Sequence, residues 1–120
     1  MNQVFLSGRV QYIGRLQNEG LESRYIEFRL MVNDFGIHGK RMRHKSQKFT
    51  CIAFGTDADN VSKYLIKNQV VNVLGKVSLG YTDDKNSKIE KTQILVHKLE
   101  MVYGTGTLKK GEVEIEDEYL

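Results

Sequence analysis

The chain has no proline, no internal repeat and a single cysteine, Cys51. One cysteine cannot close an intrachain disulfide or supply a cysteine-based zinc cluster, so a reducing, intracellular location is expected. The longest apolar run is only a few residues, far short of the ~20 needed for a membrane-spanning helix. The opening segment, MNQVFLSGRV, lacks the charged start, apolar block and small-residue cleavage site of a secretory signal, and reads instead as a first β-strand. A chain of 120 residues supports one modest core and not two.

Catalytic constellations are missing as well. His38, His44 and His97 fall on a loop and a distant strand, without metal-ligand spacing and without paired carboxylates beside them. Asp57 and Asp59 are accounted for by helix capping, and Ser7 beside Gly8 has no nucleophile-elbow context. No glycine-rich loop ends in Lys-Ser or Lys-Thr. Neither an enzyme nor a cofactor or metal is expected.

What is present is charge, unevenly placed. The formal net charge is +3, but residues 112–118 hold five of the fifteen acids and no base. Residues 1–111 therefore carry eighteen bases against ten acids, a net of +8. A basic body with an acidic end suits a polyanion-binding domain whose tail faces other partners, although solubilising charge has the same composition.

Periodicity divides the body into five strands and one helix. From Gln3 to Ile13, Val4, Leu6, Val10 and Tyr12 form an apolar series with Gly8 inside it, where a bulge or sharp bend is expected. From Arg24 to Asn33, Ile26, Phe28, Leu30 and Val32 face one way and Tyr25, Glu27, Arg29 and Met31 the other. Asp34 to Lys48 reads as a long loop or flexible hairpin. A third strand runs from about Lys48 to Gly55, with Phe49, Cys51 and Ala53 on one face and Thr50, Ile52 and Phe54 on the other. The next segment has the marks of a helix: Thr56 and Asp59 as a capping box, Ala58, Val61 and Leu65 as the buried stripe, and Asn68 as a left-handed terminator. Strand four spans Val70 to Thr82, Asp83 to Ser87 is a hairpin turn, and strand five spans Lys88 to Tyr103 with Leu95, Leu99 and Met101 on one face. Five strands with one short helix between the third and fourth is the order of an all-β OB-fold barrel, an architecture that binds oligonucleotides or oligosaccharides. The domain is assigned to residues 1–103, and 104–120 is expected to be a short, disordered acidic tail.

The first strand MNQVFLSGRV, the pattern FxCxAFG, the helix ending KYLIKN, then VNVLGKVSLGY and TQILVHKLEMV resemble bacterial-type single-stranded DNA-binding proteins, in order, over roughly residues 1–103. The resemblance implies a non-catalytic protein that coats and protects exposed strands in DNA replication, repair and recombination. Aromatic side chains stack on bases while lysines and arginines follow the phosphates, and stacking tolerates any sequence because every base has a π-face. Phe35, Phe54 and Tyr81 match the family's stacking positions. A fourth stacking position is occupied here by Lys48, with Phe49 beside it on the core side, so binding is expected to lean more on charge. Lys40, Arg41, Arg43, Lys45 and Lys48 are the leading phosphate contacts, with Lys67 at the helix end as a further one. The resemblance also implies a homotetramer built from dimers that pair their first strands, and a cytoplasmic, nucleoid-associated location. Family tails end in a long linker, a proline and a terminal phenylalanine; here the end reads IEDEYL, so that Glu116, Asp117, Glu118, Tyr119 and Leu120 either dock partner proteins or shield the empty DNA groove. Two alternatives remain: a dimeric adaptor resembling primosomal replication protein N, and an RNA-binding OB module.

Overall fold

The two-residue period around Phe28 produces a strand with one wholly buried side: Ile26, Phe28 and Leu30 are buried while Arg29 between them is exposed. The computed structural model describes residues 1–38, 41–84 and 87–102, and of residues 34–38, 41–45, 81–84 and 87–89 the backbone alone. Its elements are β1 (Val4–Ile13), β2 (Tyr25–His38), β3 (Arg41–Phe54), α1 (Gly55–Tyr64), β4 (Val70–Asp84) and β5 (Ser87–Met101). The strands close into a barrel in the order β1-β2-β3-β5-β4. Neighbours run antiparallel except β3 and β5, which pair in parallel at Cys51–Ile94 and Ile52–Leu95. This is the expected all-β, five-stranded OB-fold barrel with one helix between β3 and β4.

Inside the barrel Val10, Ile26, Phe28, Leu30, Cys51, Ala53, Val71, Val73, Ile94 and Val96 form one cluster, and Ala58, Val61 and Leu65 of the helical segment join it. Phe49 packs against that cluster while Lys48 is exposed, as the alternation in β3 requires. Burial holds the Cys51 thiol pushed up to about 12, so this cysteine behaves as a small apolar side chain and not as a nucleophile.

One strand serves two neighbours. Residues Val4 to Arg9 of β1 pair with β4, and Arg9 to Ile13 pair with β2. The register jumps from Val10–Leu30 to Tyr12–Arg29, which makes Gln11 an extra residue and therefore a bulge. The bulge lies past Gly8, where the sequence suggested one. Gly8 serves a different need: a Cβ there would collide with the Met31 carbonyl, so only glycine permits the close crossing of β1 and β2. A second register jump, from Leu74–Lys98 to Gly75–Val96, makes His97 the extra residue of β5. It turns Ile94 and Val96 inward before the bulge and Leu99 and Met101 inward after it. Leu95 is consequently on the face opposite Leu99 and Met101, which corrects the single apolar face read from the sequence.

The sheet also extends beyond the apolar signal. Pairing of β2 and β3 continues from Tyr25–Phe54 to His38–Arg41, so most of the segment read as a long loop or flexible hairpin is two paired strands. Strands β4 and β5 pair as far as Asp84–Ser87, within two residues of the expected strand ends at Thr82 and Lys88. Backbone hydrogen bonding in the ladders joins these arms.

The helix differs from its sequence signals at both ends. Its N-cap position is Phe54, which provides no side-chain cap, and Gly55 takes a left-handed φ of 59° to turn the chain out of β3. Asp59 is not part of a capping box. Its carboxylate accepts two hydrogen bonds from Arg24, at 2.8 Å from Nε to Oδ1 and 2.8 Å from Nη2 to Oδ2, fastening α1 to the start of β2. The helix stops at Tyr64, and Leu65 is already extended. Asn68 is left-handed (φ 68°) as expected, but in the turn beyond the helix, where its N–H donates to the Val10 carbonyl at 2.7 Å. The neighbouring Gln69 carbonyl accepts from the Val10 N–H at 2.9 Å, so this turn is tied to β1 just before the bulge.

Two outcomes follow from these contacts. A Cβ at Gly75 would collide with the Leu95 backbone carbonyl beside the His97 bulge. Gly75→Ala should therefore lower unfolding stability by roughly 1–3 kcal/mol in urea titrations, the usual cost of overpacking. The Arg24 hydrogen bonds hold the Asp59 carboxyl below its ordinary range against a smaller opposing effect of desolvation. A depressed folded-state value gives stability that is present above the unfolded value of about 3.9 and is lost as pH falls through the lower folded value. Asp59→Asn should accordingly be less stable than the parent at neutral pH, and their urea midpoints should converge in strong acid.

Candidate nucleic-acid interface

The outward faces of β2 and β3 present paired rungs: Tyr25 opposite Phe54, Glu27 opposite Ile52, Arg29 opposite Thr50 and Met31 opposite Lys48. Tyr12, from the far side of the β1 bulge, stands opposite Arg29. At one end of this surface is a cleft of about 460 Å³, lined by Tyr12, Gly14, Arg15, Gln17, Tyr25, Glu27, Ile52, Phe54 and Gln93. Ile52, only 8% exposed although it faces outward, forms its apolar floor.

Phe54 is 47% exposed at this cleft, a wide exposure for an aromatic ring at the end of a strand. Its ring meets Tyr25 at 6.2 Å between centroids with a 46° tilt. The Arg29 guanidinium carbon lies 5.0 Å from the centroid of the Tyr12 ring. Glu27, the acid within the cleft, is bonded to Lys91 Nζ at 3.0 Å, which offsets its charge beside Arg15, the base of the cleft lining.

Of the residues singled out by sequence, Phe54 lies in the cleft and Lys48 lies on the same face, six residues back along β3, or about 20 Å. Lys67 is exposed but sits beyond α1, in the turn that contacts β1, away from the cleft lining. Phe35, Arg41, Arg43 and Lys45 occupy the paired arms of β2 and β3: Phe35 opposite His44, Lys45 opposite Asp34, Arg43 opposite Gly36, and Arg41 opposite His38. Tyr81 pairs with Glu90 on β4 and β5. For these five the backbone alone is described. Lys40 and the tail residues Glu116, Asp117, Glu118, Tyr119 and Leu120 lie outside the described residues.

Tyr12, Tyr25, Arg15 and Arg29 were not singled out by sequence. Strict alternation places Tyr12 inward with Val10, and only the extra residue Gln11 turns it out to 46% exposure. Tyr25 and Arg29 fall on the outward face as the pattern predicts, but nothing in the pattern joins them to Phe54. Among the described residues no group of three or more His, Cys, Asp or Glu side chains is gathered to hold a metal, and no helix is long and apolar enough to cross a membrane.

Comparison with known proteins agrees with this geometry. The chain matches the model of the single-strand binding protein family over residues 1–102. Among solved structures it is similar to a Plasmodium falciparum SSB in complex with ssDNA, with 23% identity, a TM-score of 0.71, and coverage of 85% of this chain and 95% of that one. It is also similar to a small single-stranded DNA-binding protein from Streptomyces coelicolor (17% identity, TM-score 0.66, coverage 84% and 94%). A deletion variant of the single-stranded DNA-binding protein from Thermus aquaticus gives 19% identity and a TM-score of 0.70, over 87% of this chain and 51% of that one. Comparison with curated protein sequences gives no match. The structural likenesses establish the fold, and with the family model spanning every strand of the barrel, this chain belongs to the single-strand binding protein family.

Proposed function

We propose that this single-stranded DNA-binding protein coats and protects exposed strands during replication, recombination and repair, stacking bases on its aromatics and holding phosphates with its bases. The observation that carries the reading is Phe54: a ring 47% exposed at an open cleft, on the same face as Lys48, in a barrel of this family. Phe35 and Tyr81 are assigned as further stacking residues. Lys40, Arg41, Arg43, Lys45, Lys48 and Lys67 are assigned to phosphates, and the net charge of +8 over residues 1–111 supports that assignment. The protein acts without catalysis, in the cytoplasm at the nucleoid.

The assembly is a homotetramer of dimers. Its support is the unequal use of β1, whose residues Val4 to Gly8 pair with β4 but not with β2, leaving one side of that segment available to another strand. The acidic end, Glu116 to Leu120, docks replication or repair proteins that carry a basic-rimmed apolar pocket.

Titration with oligo-dT, oligo-rU and duplex DNA at two salt concentrations, with the solution mass measured in parallel, tests the reading. Tight, salt-sensitive binding to oligo-dT is expected, with a log–log slope of about −0.7 per phosphate contacted. Phe54→Ala should weaken oligo-dT binding by roughly 1–3 kcal/mol. Equal affinity for duplex would overturn the proposal; a dimer with weak strand binding would point to a primosomal adaptor, and a preference for oligo-rU to an RNA-binding module.

A further inference from the structure

We propose that Tyr12 and Arg29, together with Tyr25 and Phe54, form a seat for one unpaired nucleobase, so that the β1–β2 surface supplies stacking that Lys48 cannot. The proposal rests on the single-strand-binding reading of the same face. Its starting point is the Gln11 bulge. Without that extra residue Tyr12 would continue the inward series of Val10; with it, the ring stands outward opposite Arg29, 46% exposed.

The ring is also held in place. It leans over Gly14: its Cε1 and hydroxyl oxygen lie 3.7 Å from the position a Cβ would take there. Gly14 in turn is fixed to β2 by its N–H donating to the Glu27 carbonyl at 2.8 Å. The Arg29 guanidinium, 5.0 Å from the ring centroid, both orients the tyrosine and places a cation where a strand's phosphate would follow its base. An aromatic ring with its rotamer already restricted loses less entropy when a ligand stacks on it.

The other side of the cleft is complementary. Tyr25 and Phe54 meet at a 46° tilt, not face to face, and they stand beside the apolar floor of Ile52. The lining also includes the Gln17 and Gln93 amides, which can both donate and accept, and Arg15. Flat apolar surfaces, amide groups and cations together suit a planar ring with a polar edge attached to an anionic backbone. The cleft volume of about 460 Å³ falls within the roughly 300–1,000 Å³ of small-molecule pockets. A base inside a duplex is stacked on both faces and cannot enter, so the seat favours unpaired strands.

Full-length protein should be titrated with oligo-dT and with an abasic oligomer of the same length, as the parent and as Tyr12→Ala, Tyr12→Phe and Phe54→Ala. Tyr12→Ala should weaken oligo-dT binding by about 5- to 100-fold while leaving abasic binding nearly unchanged, and Tyr12→Phe should restore it. If Tyr12→Ala binds oligo-dT like the parent while Phe54→Ala is impaired, the seat is wrong but the stacking face stands. If both variants bind like the parent, the stacking reading of the whole face fails. Equal losses on oligo-dT and abasic strands would also overturn the seat, because Tyr12 would then support the fold or the backbone contact only. Thermal unfolding of each variant guards against misfolding. Photocrosslinking of an oligo-dT carrying 5-iodouracil should attach to Tyr12 as well as to Tyr25 or Phe54; attachment that never includes Tyr12 would overturn the seat independently of stability.

Discussion

The barrel depends on β1 pairing with β2 and β4 in succession, since no other strand joins those two edges. A flat, regular strand cannot make that turn. Here glycine lets β1 approach β2 closely at Gly8, the extra residue Gln11 bends the strand, and the backbone of Asn68 and Gln69 bonds Val10 at the corner. The same bend that closes the barrel turns Tyr12 outward. Closure and the shape of the proposed binding surface therefore share one cause.

Apolar groups and charge are separated along that surface. Phe54, Tyr25, Tyr12 and Ile52 gather at the end of β2 and β3 near the helix, whereas Lys48 stands farther along the same face, toward the arms that carry Arg41, Arg43 and Lys45 in their backbone register. A strand crossing this face would meet rings first and cations after them. The Glu27–Lys91 pair has a local electrostatic consequence, since it sets a base against the cleft's acid at a point where an anion is expected. Cys51, although central to β3, takes no part because burial removes its thiolate.

Much of the fold was legible in the residues because burial on one side of a strand leaves a period of two. Ile26, Phe28 and Leu30 were readable as core for that reason, as were Cys51 and Ala53, and the segment from Ala58 to Leu65 announced itself by its helical stripe. The β4–β5 hairpin was legible from its turn residues, whereas the β2–β3 arm was not, because the glycines and run of bases between Asp34 and Lys48 read as a loop while backbone pairing carries both strands through it. Asp59 shows another limit: its spacing from Thr56 suits a capping box, but Arg24, thirty-five positions away, offers two charge-assisted hydrogen bonds in one plane and takes the carboxylate.

The order of strands and helix, the inward residues, the basic body and the stacking candidate Phe54 are local properties, set by alternation, composition and short motifs. Which way Tyr12 and Leu95 face is not local. Each depends on a single inserted residue, Gln11 or His97, and an insertion is defined only by the partner strand that runs past it without one. The grouping of Tyr12, Tyr25 and Phe54 into one cleft, with Arg29 against the Tyr12 ring, follows from those registers, which only the closed barrel decides.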